Sequence, residues 1–435
     1  MFKPFRSEKP ANLLQQPGLE YWFKERRTLA DFRRGPLGSH FDGFARYLKA
    51  KGYSEHWGGE ILGKCCQFNA FLIDQGITNC EELSESLIDS FLDVYLENVR
   101  TRASYSPTLK PTWALKRLFL YLLEVKAITP PKPKLIKKPY SWILEPYLRH
   151  LRTECELSEV TIKRARVQVG SFLEVLHQRV RRNRFKALGP EAFQGYIQEH
   201  FKSSRENLTS LCGTLRRFFR YCALHRYTRA DFSGLIPFVR HYRHASLPVG
   251  MEDSALDRVL NAIDKNSPAG SRDYAIAVLM MAYGIRGISA AELLLDDIDW
   301  QRSRIRIRAQ KGGKEVLLPL LEPVGEAVIR YLQHRFAETP FREVFLTTKA
   351  PFRPLSSVAI SIIIRRYMKK AGVEAPGAGS RTLRHSWAIR ALAHNSPIKS
   401  IADVLGHRYI DTTFIYAKAD LKALREVSMP WPEKG

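Results

Sequence analysis

The first half of this chain repeats itself at an offset of 100 or 101 residues, which leaves few folds open to it. Tyr47 and Leu48 return as Tyr147 and Leu148, Ile61 as Ile162, Phe71 and Leu72 as Phe172 and Leu173, and LKRLFLY (115–121) as LRRFFRY (215–221). Within the copies, apolar residues fall at helix spacing: Ile61, Phe68, Phe71 and Leu72, then Leu115, Leu118, Phe119 and Leu122. Aromatic side chains recurring at that period pack a core, so two similar helical modules in tandem are expected, over 36–128 and 143–236. They are joined within LEVKAITPPKPKLIKKPYSW (123–142), where adjacent prolines stop a helix and the Pro/Lys mixture favours an extended linker over 129–142. A second linker, PFVRHYRHASLPVG (237–250), carries Pro248 and Gly250 as breakers.

Charge indicates a partner. With 69 Lys and Arg against 44 Asp and Glu, the 435 residues carry a formal net charge of +25. Such an excess attracts a polyanion, each neutralised phosphate adding affinity through counterion release. Nucleic acid leads; a generally basic, solvated surface is the alternative, and position separates the two. In VTIKRARVQVGSFL, Ile162, Ala165, Val169, Phe172 and Leu173 form a buried stripe while Lys163, Arg164 and Arg166 fall off it. With RVRRNRFK (179–186) and Arg216, Arg217 and Arg220, they suggest a surface that tracks phosphates without reading sequence. Residues 1–35, with the pairs Arg26-Arg27 and Arg33-Arg34, form a basic N-terminal arm, either a phosphate contact or a solvated leader.

Other classes recede. The six cysteines, at 65, 66, 80, 155, 212 and 222, show neither zinc-ligand spacing nor a disulfide framework, and several, in apolar periodic runs, read as reduced core residues. No stretch is apolar enough to span a bilayer and the N-terminus lacks a signal-peptide core, so a cytoplasmic protein is expected, in a cell without a nuclear barrier. Apolar residues at 45% are ample for several cores.

From residue 251 the pattern changes. Ile276, Leu279, Met280 and Tyr283 make a buried helical face ended by Gly284. RIRIR (304–308), the turn QKGGK and EVLLPL read as a β-hairpin, with Gly312 and Gly313 supplying positive φ. Helices follow from about Glu322, Ser356, Arg381 and Ile398. The fold class is mainly α with a small antiparallel β-sheet, the two helical modules preceding a third domain over 251–428.

That domain carries the chemistry. SRTLRHSWAIRALAHNSPIKSIADVLGHRYIDTTFIY (380–416) sets an LRHSWA helix, then LGH, then a tyrosine nine positions after the histidine. Their order and spacing, with YGIRG (283–287) and the hairpin lysine before them, resemble the tyrosine recombinase (phage integrase) family, strongly over about 250–430 and weakly over 40–230. The resemblance implies helical core-binding DNA modules, here two where the family has one, followed by a catalytic domain. It makes Arg286, Lys311, Arg381, Arg384, His407 and Tyr416 the catalytic set, Tyr416 being the nucleophile.

Each residue type suits its place. Arginine offers a permanent charge and a planar fork for two phosphate oxygens, so Arg286 and Arg384 would clamp a scissile phosphate and stabilise its transition state. Arg286 would otherwise serve a structural ion pair with Glu292, Asp296 or Asp297. Ser289 stands where the family commonly has a carboxylate, whether or not the nearby Glu292 substitutes for it in orienting Arg286. Lys311 is the candidate general acid toward the leaving 5′ oxygen, with Lys314 its rival. Arg381 replaces the family's usual histidine; it keeps a charge and loses proton transfer near neutral pH. His385 is expected to point elsewhere on its helix as a structural residue. His407 would donate to a phosphate oxygen. A tyrosine of pKa ~10 costs roughly 4 kcal/mol to ionise at neutral pH, a cost the surrounding arginines are expected to reduce.

These features imply a site-specific DNA recombinase or integrase, of a mobile genetic element or a resolution system, working through a 3′-phosphotyrosyl intermediate. That bond conserves phosphodiester energy, so neither ATP nor a metal cofactor is required. Double-stranded DNA is the partner, with a homotetramer, or an assembly with related recombinases, exchanging strands; the tail after Tyr416 either packs on a neighbouring subunit or folds back. The alternatives are a DNA-binding accessory protein impaired in catalysis, motivated by Arg381 and Ser289, and a type IB topoisomerase-like enzyme.

Overall fold

The structure, a computed structural model, describes residues 18–100, 110–129, 139–176, 185–186, 191–200, 205–238, 250–309, 314–336, 339–374, 377 and 379–417. The chain divides into two compact units, Lys132–Ala245, and Met1–Pro131 together with Ser246–Gly435.

The N-terminal module is built from α1 (Arg26–Phe32), α2 (Gly38–Ala50), α3 (Glu55–Asp74), α4 (Glu85–Arg100) and α5 (Pro111–Glu124). The next comprises α6 (Ser141–Thr153), α7 (Glu159–Val175), α8 (Glu191–His200) and α9 (Arg205–Leu224). Each has its own apolar core. Leu48 and Leu148, Ile61 and Ile162, Leu72 and Leu173, and Leu115 and Leu215 are all 2% exposed or less. Both α3 and α7 start on a serine whose hydroxyl accepts a backbone N–H of the first turn, Ser54 from Trp57 and Ser158 from Thr161.

The repeat extends to how the helices stop. After α5 the backbone N–H groups of Val125, Lys126 and Ala127 donate to the carbonyls of Tyr121, Leu123 and Leu122. After α9 those of His225, Arg226 and Tyr227 donate to Tyr221, Ala223 and Cys222, every donor and acceptor displaced by 100 residues. Lys126 and Arg226 take the left-handed conformation, at φ 58° and 56°, where residues other than glycine are uncommon. The same unusual ending at the same register supports one structural unit used twice.

The third core belongs to the C-terminal region: α10 (Asp253–Asn261), α11 (Pro268–Tyr283), α12 (Gly287–Ala291), β1 (Ile298–Asp299), β2 (Arg304–Ile307), β3 (Val316–Pro319), α13 (Glu322–Leu332), α14 (Ser357–Lys370), α15 (Ser380–Ala393), α16 (Ile398–Val404) and α17 (Phe414–Ala417). The hairpin forms as expected, β2 antiparallel to β3 with Ile305 opposite Leu318, both buried. A two-residue strand, β1, joins its other edge in the order β1-β2-β3; no alternating pattern announces so short a strand. Residues 310–313, the turn, lie outside the described residues.

One expectation needs correcting. The sequence marks a single buried face on α11, yet the unbroken run Ala275–Met281 is buried, because α12, α13, α14 and α15 all pack against this helix. It is the axle of the domain. Its buried Asp273 accepts from Arg272 Nε at 2.9 Å, from Arg366 Nη2 at 2.6 Å and from the Tyr367 hydroxyl at 3.1 Å, so a carboxylate removed from water is paired and tied to α14. Of the cysteines, Cys65, Cys80, Cys212 and Cys222 are buried and all six are unpaired. No described helix is long and apolar enough to cross a membrane.

Candidate active site

The site is assembled at the C-terminal end of α11. A helix leaves its last carbonyls without intrahelical donors, and here side chains spaced three apart on α15 supply them. Arg390 Nη2 donates to Met281 O at 2.9 Å, Trp387 Nε1 to Ala282 O at 2.8 Å and Arg384 Nη1 to Gly284 O at 2.9 Å. Gly284 closes α11 at φ 60°, and a Cβ there would lie 2.9 Å from the Trp387 ring. Glycine is therefore required both for the conformation and for the close approach. The chain then turns so that Arg286 sits at the N-cap of α12.

A second helix end meets the first. The carbonyl of Leu405, just past α16, accepts from Arg384 Nη2 at 2.9 Å and from Arg286 Nη1 at 3.5 Å. Gly406, at φ 62°, reverses the chain and brings His407 back, its Nε2 2.7 Å from Arg384 Nη2. A guanidinium only donates, so His407 Nε2 is the acceptor and its proton lies on Nδ1, which donates to Thr413 Oγ1 at 2.7 Å. Burial, then the charges of Arg384 and Arg286, push His407 down to about 4, so it is neutral near pH 7. Burial, then the neighbouring Arg286, brings Arg384 down to about 10. Holding two like charges together in a desolvated pocket is unfavourable until an anion arrives.

Two of the alternative partners of Arg286 are occupied elsewhere: Asp296 pairs with Arg342, and the buried Asp297 with Arg306 and Arg308. Ser289, at the position of the family's carboxylate, is buried, and Glu292 is exposed.

Tyr416, on α17, is 3% exposed and packs with Ala388, Leu392, Ile401 and Leu405. Two sequence expectations change here. Burial raises the Tyr416 pKa above its ordinary value, outweighing Arg384, Arg286 and Arg381, which lower it; the arginines reduce the ionisation cost only in part. His385 does not point away: its Nδ1 lies 3.0 Å from the Tyr416 hydroxyl. Adjacent residues on α15 are about 100° apart, and α17 crosses so that the phenol meets His385 while Arg384 still acts to lower its pKa. Thr413, in the run before the tyrosine, is fully buried and accepts the Nδ1 N–H of His407, a partnership the sequence does not show.

Arg381 is exposed in the first turn of α15. Lys311 lies outside the described residues. Lys314 is exposed and shares a shallow pocket with Arg286, Arg308 and Arg384. Four cations around a pocket suit a phosphodiester, whose oxygens need fixed positive charge as a nucleophile attacks. In the second module Lys163, Arg164, Arg217 and Arg220 are exposed. Arg166, also exposed, is held by Glu145, with Nη2 to Oε2 at 2.9 Å. Arg216 departs from the expected phosphate-tracking role: it donates to Pro237 O at 2.7 Å and lies 5.3 Å from the centre of the Phe238 ring, tethering the segment after α9. In RVRRNRFK, residues 179–184 lie outside the described residues and Phe185 is buried.

Residues 251–422 match the phage integrase family. The whole chain is similar to y4rA of Sinorhizobium fredii, named as an integrase/recombinase, at 30% identity over 434 residues, 95% of this chain and 99% of the relative. It is also similar to the tyrosine recombinase XerA of Pyrococcus furiosus, 25% identical over 286 residues, 66% of this chain and 92% of the relative. Among solved structures, a lambda integrase dimer bound to a core site aligns with a TM-score of 0.51 at 15% identity, over 68% of this chain and 98% of that one, a likeness of fold.

Proposed function

The chain belongs to the phage integrase family of tyrosine recombinases, enzymes that cut and rejoin DNA, and from that premise we propose the roles of its residues. Tyr416 attacks the scissile phosphodiester of double-stranded DNA, forms a 3′-phosphotyrosyl bond and frees a 5′ hydroxyl. Arg286 and Arg384, which converge on the Leu405 carbonyl, turn their remaining donors to the phosphate oxygens, and one such donor is worth about 10²–10³ in rate. The observation that carries this reading is Arg384 joining both helix ends to His407, next on its helix to His385, whose Nδ1 lies 3.0 Å from the Tyr416 hydroxyl.

Phosphate binding changes His407. An anion beside it favours the charged form, so the imidazole takes up a proton at Nε2 and donates it to a phosphate oxygen in place of accepting from Arg384. Lys311 or Lys314 protonates the leaving 5′ oxygen. Arg381, exposed in the first turn of α15, adds charge at the phosphate and no proton transfer, since a guanidinium does not deprotonate in the working range.

The modules over 36–128 and 143–236, joined by linkers at 129–142 and 237–250, grip the duplex backbone, with Lys163, Arg164, Arg217 and Arg220 as phosphate contacts. Four subunits on DNA exchange strands in pairs in the cytoplasm, the catalytic domain and its tail spanning 251–428. The test is covalent capture from a pool of nicked duplexes of random sequence. Denaturation-resistant adducts enriched for one sequence, absent with Tyr416→Phe, are expected. DNA binding with no adduct would instead assign an accessory protein without catalysis.

A further inference from the structure

We propose that His385 is the base that takes the proton of Tyr416 during strand cleavage, filling the place that arginine leaves open at position 381. This rests on the assignment of Tyr416 as nucleophile. His385 Nδ1 is 3.0 Å from the Tyr416 hydroxyl, within reach of direct proton transfer to a ring nitrogen. With its Nδ1 unprotonated, His385 accepts from the phenol and can take its proton.

The other candidates are disqualified by geometry or chemistry. His407 has Nε2 against Arg384 at 2.7 Å, turned to the phosphate once DNA binds, and Nδ1 already protonated against Thr413 at 2.7 Å, so neither is left for the phenol proton. Arg381 carries no lone pair for a proton. His385 is half-buried, and burial together with Arg381 and Arg384 lowers its pKa, which keeps it in the free-base form near neutral pH.

The step balances. As the Tyr416 oxygen bonds to phosphorus its proton passes to His385 Nδ1, the bond from phosphorus to the 5′ oxygen breaks, and that oxygen takes a proton from Lys311 or Lys314. In religation the 5′ hydroxyl attacks phosphorus and returns its proton to the lysine. The phosphotyrosyl bond then breaks and the phenolate regains its proton from His385. No proton is gained or lost over the cycle.

The test uses the full chain and a nicked duplex captured with wild-type protein, reading single-turnover adduct formation. In His385→Asn a side-chain amide oxygen can take the Nδ1 position, accepting the hydrogen bond but not the proton. It is expected to bind DNA like wild type and to cleave about 10²-fold more slowly. His385→Ala is expected to be equally slow and to recover at least about tenfold with added imidazole, more with more basic imidazoles. A merely structural role would not produce that dependence. Cleavage by His385→Asn within threefold of wild type, or no recovery of His385→Ala by any imidazole, overturns the proposal. Failure of wild type itself to form an adduct would sink the nucleophile assignment instead.

Discussion

Replacing Arg384 by lysine separates the fork from the charge. The guanidinium reaches Gly284 O and Leu405 O with different nitrogens, both at 2.9 Å, and His407 Nε2 at 2.7 Å. A lysine keeps the positive charge but has one nitrogen on a flexible stem, so it can serve one helix end and leaves either Gly284 O without its donor or Leu405 O with only the 3.5 Å contact of Arg286. That omission costs about 1–3 kcal/mol, a fall in Tm of roughly 5 °C for a domain of this size. Catalysis suffers more, because the two-point grip on the phosphate is lost: single-turnover cleavage should drop about 10²–10³-fold. Gel-shift affinity for the same duplex should change little if, as proposed, the modules over 36–128 and 143–236 carry most of the backbone contacts. Thermal unfolding and adduct formation, measured on one preparation, read both effects. Arg384→Lys with unchanged Tm and cleavage within tenfold of wild type would refute the claim that this one side chain joins the two helix ends and the phosphate.

Three further outcomes follow from the same geometry. His407 titrates at about 4 in the folded chain, against an unfolded value near 6.5. The unfolded chain therefore binds the extra proton between those values, so stability is complete above pH 6.5 and declines as pH falls toward 4, by up to about 3 kcal/mol. Denaturant titrations of DNA-free protein should show this slope flattened in His407→Asn; an unchanged slope contradicts the assignment. A duplex with a 5′-bridging sulfur needs no proton on its leaving group, so it should restore cleavage to whichever of Lys311→Met and Lys314→Met has lost the general acid, and not to Arg384→Lys. Asp297→Asn should loosen Arg306 and Arg308 from the sheet and destabilise the catalytic domain by about 2 kcal/mol, and a Tm unchanged within error would show that the paired charges contribute nothing net.

What the sequence revealed was what local pattern encodes. Helical period placed Ile61, Val169 and Leu115 in cores, Gly284 marked the end of α11, and the alternation at 304–308 marked a strand. The spacing of Arg286, Arg384, His407 and Tyr416 within one family pattern anticipated a cluster that the fold assembles across 119 residues, from Arg286 to Leu405. The misses are tertiary. His385 looks displaced from Arg384 by a third of a turn, and only the crossing of α17 brings the phenol to it. Arg216 looks like a surface cation until residues 236–237 return to it. The direction of the Tyr416 shift depended on how deeply the ring is buried, and counting arginines could not give that depth.

The central claim is that Tyr416 becomes joined to a DNA 3′ phosphate. Proteolysis of the captured adduct, followed by mass spectrometry of the nucleotide-linked peptide, measures this directly. The account predicts a single modified peptide containing Tyr416, carrying a nucleotide through its 3′ phosphate, with a free 5′ hydroxyl on the departing strand. Modification at any other residue, or linkage through a 5′ phosphate, would contradict it.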